Sequence, residues 1–151
     1  MNHFKTYLII IVVAVVLGIL FAKLKPADNE LSSVEPYDPV VTELDFTETP
    51  TGFPVDIPIE AGAAVVLNNV EEHPTGTKAT KVFITSKTPA TNFSFYQDWL
   101  TANGWTLVSE ISEGQVRVLN VEKGDQALSV TISTHASTGQ KIVEIAVLTK
   151  K

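Results

Sequence analysis

The sequence predicts an α+β fold in which one helix packs on one face of an antiparallel sheet of about six strands. Two observations predict it. Short apolar segments rich in β-branched residues are separated by turn sequences with glycine or proline, which is typical of strands. One segment instead carries Phe93, Tyr96 and Leu100 at helical spacing. Thr88 and Pro89 provide a capping hydroxyl and a first helical proline, and Gly104 ends the helix.

The predicted strands occupy residues 63–70, 78–87, 105–111, 115–122, 127–134 and 141–149. The helix lies between the second and the third, so the order is ββαββββ. Short turns connect the last four strands, and such turns make consecutive strands antiparallel. These features predict a two-layer domain with the helix across one face of the sheet.

The last predicted strand is apolar on both sides, unlike segment 127–134, which alternates apolar and polar residues. One side of that last strand carries Ile142, Ala146 and Leu148, interrupted by Glu144. A strand that is apolar on both faces is covered on both. The cover of the face opposite the helix is either the chain's own apolar segment 40–46 or a partner.

Residues 7–22 predict a membrane anchor. They are Tyr7, Leu8, Ile9, Ile10, Ile11, Val12, Val13, Ala14, Val15, Val16, Leu17, Gly18, Ile19, Leu20, Phe21 and Ala22. As a helix they span about 24 Å, and residues 4–24 span about 31 Å, the thickness of one hydrocarbon core. Lys5 and Lys23 are placed to reach the two interfaces.

A cleaved signal peptide is the main alternative. The best cleavage site, after Ala22, has the bulky Leu20 at the minus-three position, which favours an uncleaved signal anchor. Lipid attachment at a cysteine is excluded, because the chain has no cysteine. The lysines flanking the segment nearly balance, so charge does not decide orientation. The position of the segment at the extreme start and the acidic stretch after it favour an extracytoplasmic domain in a bacterial cell envelope.

The predicted organisation is a transmembrane anchor at residues 1–25, an acidic proline-rich linker at 26–52 and an extracytoplasmic α+β domain at 53–151. Segment 26–50 holds seven acidic residues and no lysine or arginine. Proline and like charges favour an extended tether.

Composition excludes several function classes. A net charge of −6 leaves no basic surface for nucleic acid. No glycine-rich phosphate loop is present, so nucleotides are not expected. No cofactor, no metal ligand and no catalytic residue is predicted. His73 beside Glu71 and Glu72 is interpreted as a solvated turn rather than a metal cluster, and paired carboxylates across strands are left open.

The aromatic residues of the helix are interpreted mainly as core, because a helix that crosses a sheet needs large side chains beneath it. Phe95 is the exception, since it lies farthest from the apolar stripe of the helix. The candidate interaction surface comprises Phe95, Ile142 and Leu148.

Two motifs carry a resemblance. A P-x-x-x-P-x-x-x-G-A entry at residues 54–63 is followed by a helix with Phe95-Tyr96, Leu100 and Gly104-Trp105. This pattern resembles uncharacterised bacterial domains of membrane-anchored or exported proteins, over about residues 53–149. The resemblance implies architecture and location, and it carries no catalytic residues.

The first functional hypothesis is a non-enzymatic, single-pass membrane module. It contacts membrane lipid through its anchor and binds a protein partner or an envelope component. One alternative is an envelope enzyme with a carboxylate site. Another is a structural subunit that oligomerises through the membrane helix or a sheet face.

Overall fold

Seven strands and one helix make up the part of the chain that the structure, a computed structural model, describes: residues 38–151. The elements are β1 (Val40–Glu43), β2 (Ala64–His73), β3 (Gly76–Thr85), α1 (Pro89–Ala102), β4 (Thr106–Glu113), β5 (Val116–Lys123), β6 (Gln126–Thr134) and β7 (Lys141–Lys150). The predicted anchor at 7–22 lies outside the described residues. Within 38–151, no helix has both the length and the apolar character needed to cross a bilayer.

The strands form one sheet in the order β1-β2-β3-β7-β6-β5-β4, and every neighbouring pair is antiparallel. The predicted α+β class, antiparallel sheet and single helix are therefore confirmed. The predicted count of six strands was one too low. The extra strand is β1, which pairs with the edge of β2 from Val40 opposite Glu72 to Glu43 opposite Asn69. Strand β1 has only four residues, which is too short for the sequence pattern to predict a strand clearly.

The helix begins and ends as predicted. The Thr88 hydroxyl accepts a hydrogen bond from the backbone N–H of Thr91 at 3.1 Å, and Pro89 opens the helix. Gly104 adopts a positive φ of 74°, a conformation that glycine adopts without steric cost. The N–H of Trp105 then returns to the carbonyl of Leu100 at 3.0 Å. The helix packs across β4, β5 and β6.

The main core lies between α1 and one face of the sheet, termed the helix-side face. Phe83, Leu119 and Val130 on this face are fully closed to solvent. From the helix and its end, Tyr96, Leu100 and Trp105 join the same cluster, with Phe93 and Trp99 packed against it. The interpretation of the helical aromatics as core thus holds for these side chains.

Residues 44–63, termed the covering segment, lie on the helix-side face beside the helix. Phe53 and Ile57 are buried in the core. The Tyr96 hydroxyl donates to the carbonyl of Pro58 at 2.7 Å. On the helix-side face, Asn68 Nδ2 and Lys81 Nζ both donate hydrogen bonds to the carbonyl of Glu48, at 3.1 Å and 2.7 Å.

These positions contradict one of the two alternatives for the cover of the face opposite the helix, the chain's own segment 40–46. Val40 and Val41 belong to the edge strand β1 and are 64% and 52% exposed. Phe46 is 54% exposed, at the start of the covering segment. Backbone pairing with β2 takes the segment to the sheet edge, and the hydrogen bonds of Asn68 and Lys81 then hold it on the helix side.

Candidate functional site

The face opposite the helix, termed the second face, consists of the alternate residues of each strand that point away from α1. Val82 on β3 and Val118 on β5 belong to it, and neither is a member of the core cluster beneath the helix. They are nevertheless 3% and 1% exposed. Within residues 38–151 no helix lies on this face, because α1 packs on the other side. These residues of the second face are therefore as buried as core residues, although no helix within residues 38–151 packs on them.

A row of polar residues crosses the second face. Strand register aligns one residue from each strand, in sheet order: Glu43, Asn69, Thr80, Ala146, Ser129, Asn120 and Ser109. All but Ala146 are polar, and this set is termed the polar row. Because consecutive strand partners are direct neighbours, the row is continuous across the sheet.

Three side-chain atoms of the polar row are buried and make no hydrogen bond to any residue that the structure describes. They are Asn69 Oδ1, Thr80 Oγ1 and Ser129 Oγ. By contrast, Asn120 is satisfied by Ser109, whose hydroxyl accepts from its Nδ2 at 2.9 Å. A buried polar group left unpaired costs about 1–3 kcal/mol, so native proteins rarely keep three together without a use. The polar row thus holds unused hydrogen-bonding capacity.

Glu144 lies beside the polar row on β7, between Val82 on β3 and Thr131 on β6. Its side chain is half-buried, and among the described residues its carboxylate forms no hydrogen bond or ion pair. Burial raises the pKa of Glu144 above its ordinary value; the nearby Lys78 opposes that rise and Glu71 adds to it. Burial of an ionised carboxyl group in this position lowers the stability of the folded protein.

Glu71 and Lys78 form an ion pair near Glu144. The Lys78 Nζ lies 3.2 Å from Glu71 Oε1, and His73 Nε2 lies 3.5 Å from Glu71 Oε2. Glu71 and His73 lie within β2, which corrects the prediction of a turn at these residues. Among the described residues, no group of three or more metal-ligating side chains could hold a metal ion.

The three residues of the candidate interaction surface do not lie together. Phe95 is 38% exposed on α1, where its ring contacts Tyr96 edge to face and the Lys87 Nζ lies 4.5 Å from its centroid. Ile142 and Leu148 are half-buried on the second face of β7, on either side of Glu144 and Ala146. Phe95 is thus on the helix, and only the two β7 residues border the polar row.

Sequence reasoning missed the polar row itself. Asn69 and Thr80 lie 11 residues apart, Ser129 follows 49 residues after Thr80, and only the register of β2, β3, β7 and β6 brings the three into line. The one available signal was Glu144, a carboxylate in an otherwise apolar strand.

Replacing Glu144 with glutamine is expected to stabilise the protein near neutral pH. Because the folded-state pKa is raised, the unfolded chain loses its proton first as pH increases. The stability that protonated Glu144 contributes is therefore present below its ordinary pKa and lost as pH rises through the folded-state pKa. In urea unfolding from pH 4 to pH 8, the free energy of unfolding of Glu144→Gln should increase relative to that of the natural protein as the pH rises.

The exposed Glu122, at the end of β5, provides a matched control. Glu122→Gln should change the free energy of unfolding by less than about 0.5 kcal/mol throughout. A Glu144→Gln variant that is equally stable to the natural protein at every pH would contradict the unfavourable burial of this carboxylate.

The fold and the second face define an α+β domain with an antiparallel sheet, one helix and a polar row on the opposite face. A family model described as START domain-like matches residues 67–141. The matched region runs from within β2 to the first residue of β7 and includes most of the polar row. No curated protein and no solved structure matches the chain. The chain is thus similar to an uncharacterised START-like domain, and membrane attachment stays a prediction.

Proposed function

We propose that residues 38–151 form a non-catalytic binding domain whose second face receives a ligand or partner. The similarity to a START-like domain supports a ligand-binding or partner-binding role. The observation that carries the proposal is the set of three buried, unpaired polar atoms on the second face. Burial of such atoms is unfavourable in the free protein, and a bound molecule that supplied hydrogen bonds would remove that penalty.

We further propose that residues 7–22 anchor the protein in a membrane as a single-pass segment, with the domain on the extracytoplasmic side. This arrangement gives the domain access to envelope components and to partners outside the cell membrane. The segment is long and apolar enough for the role, and the acidic stretch after it carries no lysine or arginine up to Pro50.

A cysteine-substitution experiment tests both parts of the proposal in the full-length chain. The natural sequence has no cysteine, so an introduced thiol is the only one present. Val55 is 89% exposed and lies outside the second face, while Leu148 borders the polar row. In intact cells, a membrane-impermeant maleimide should label Val55→Cys, which reports the side of the membrane.

A photoactivatable thiol crosslinker on Leu148→Cys should then capture a defined molecule that Val55→Cys does not capture. Adding Ala146→Leu, which fills the centre of the polar row, should abolish that capture. Equal capture from both cysteines, or capture unaffected by Ala146→Leu, would contradict binding at the second face. Capture of a second copy of this chain would instead support a structural subunit.

One observation favours a second candidate function, an enzyme that uses a carboxylate pair. Glu71 is ion-paired with Lys78, and its charge contributes to the raised pKa of Glu144. A carboxyl group with a raised pKa near a second carboxyl group is an arrangement that acid–base catalysis uses. Under this alternative, a captured substrate would be released chemically altered by the natural protein and unaltered by Glu144→Gln.

A further inference from the structure

Glu144, Thr80 and Ser129 surround Ala146 on the second face. Thr80 and Ser129 are the strand partners of Ala146 on β3 and β6, and Glu144 is the preceding residue of β7 on the same face. Neighbouring strands lie about 4.8 Å apart, so the two hydroxyl-bearing residues flank the alanine closely. Ala146 has the shortest side chain of this set, and the carboxylate of Glu144 lies next to it along β7.

The hydrogen-bonding atoms around Ala146 can all act as acceptors. The Glu144 carboxylate is acceptor-only when ionised, and hydroxyl groups accept as well as donate. Thr80 is 3% exposed, and its Oγ1 is among the atoms without a partner. Asn69, next along the polar row, adds an unpaired amide oxygen, Oδ1, which is also an acceptor. A group with several N–H donors and no acceptor complements this set best.

The charges near Ala146 leave one negative charge unbalanced. One lysine, Lys78, lies near the carboxyl groups of both Glu71 and Glu144. Its Nζ is ion-paired with Glu71, 3.2 Å from Oε1. His73 Nε2 also lies 3.5 Å from Glu71 Oε2. A single positive charge placed beside Glu144 would therefore be favourable.

Apolar side chains adjoin Ala146 and Glu144 on the second face. Val82, 3% exposed, is the direct strand partner of Glu144, and Ile142 precedes Glu144 on the same face of β7. Ile84, in turn, is the strand partner of Ile142. A ligand whose charged group reached Glu144 would thus place its remainder against branched aliphatic side chains.

We propose that the second face binds an amphipathic monocation, in which a protonated primary amine is joined to an apolar body. The amine occupies the space above Ala146, where it donates to Glu144, Thr80 and Ser129, and the body lies against Val82 and Ile142. This inference rests on the proposed binding function and names the ligand class for that site. Binding a cation would also reverse the effect of burial on the pKa of Glu144 and favour its ionised form.

Three probes that share a hexyl chain and differ only in their polar group test the proposal: hexylammonium, 1-hexanol and heptanoate. Each is titrated at neutral pH into the full-length protein in zwitterionic-lipid nanodiscs, with empty nanodiscs as the blank. Hexylammonium should bind saturably and at least about tenfold more tightly than the other two, because it forms charge-assisted hydrogen bonds. Glu144→Gln should weaken hexylammonium binding about tenfold, and Ala146→Leu should abolish it.

Ala127→Leu provides the matched control. Ala127 lies on the second face opposite Leu148, one row away from Ala146 and on the side away from Ile142. Its replacement by the larger leucine should therefore change the affinity for hexylammonium by less than about twofold. Urea unfolding of each variant separates loss of binding from loss of fold.

The outcomes separate this inference from the proposed function. If 1-hexanol binds as tightly as hexylammonium and Ala146→Leu abolishes both, the second face is a binding site but not a cation site. If hexylammonium binds but Glu144→Gln leaves its affinity unchanged, the assigned geometry is wrong. If no probe binds, the monocation proposal fails, while the Leu148→Cys crosslinking result still decides whether the face binds anything.

Discussion

Deletion of residues 27–50 from the full-length chain is expected to lower the free energy of unfolding by about 3–6 kcal/mol. The deletion removes β1 and the first part of the covering segment. It also removes the carbonyl acceptor of Glu48, which binds both Lys81 and Asn68. Lys81 is 5% exposed and Asn68 is 2% exposed in the intact chain, so both side chains lose acceptors that satisfy them in a buried position.

A shorter deletion, of residues 27–36, is the control, because it stops before the described fold begins at Asp38. Urea unfolding followed by tryptophan fluorescence suits both variants, since Trp99 and Trp105 both pack in the core region. The short deletion should retain the stability of the natural protein. Equal stability of the two deletions would show that residues 38–50 contribute nothing to the fold.

Phe53→Ala is expected to lower the free energy of unfolding by about 3–5 kcal/mol, the usual cost of removing a buried aromatic ring. Phe53 is 5% exposed, packs in the core cluster and belongs to the covering segment. Its loss leaves a cavity beneath the segment and weakens the attachment of the segment to the sheet.

Val55→Ala tests the same segment without touching the core, since Val55 is 89% exposed. It should change the free energy of unfolding by less than about 0.5 kcal/mol. If the two substitutions proved equally mild in urea unfolding, Phe53 would not be part of the cooperative core, and the covering segment would be held by its hydrogen bonds alone.

Local signals made the helix and most strands predictable. Thr88, Pro89 and Gly104 act within a few residues of one another, so their effect on the helix ends depends little on the rest of the fold. The strands from β2 to β7 were likewise predictable, because each is an apolar run between turn sequences. The order of the seven strands in the sheet could not be predicted from the sequence, because the pairing of β3 with β7 joins segments that are distant along the chain.

The candidate site was predictable only at its edges. Ile142 and Leu148 were predicted because a strand that is apolar on both faces stands out in the sequence. Thr80 and Ser129 look like ordinary solvent-facing strand residues until register places them on either side of Ala146. The burial of Lys81 was equally hidden, because lysine is rarely buried and its acceptor comes from the preceding covering segment.

The position of β7 also determines when the second face is completed. This strand, the last of the seven along the chain, lies in the middle of the sheet between β3 and β6. During synthesis, β1 to β3 and β4 to β6 are made first, and each group exposes an unpaired edge until residues 141–150 insert between them. Glu144 and Ala146 arrive on that same strand. A nascent or prematurely ended chain therefore lacks the central strand of the second face, and the proposed site is complete only in a chain that has closed its sheet.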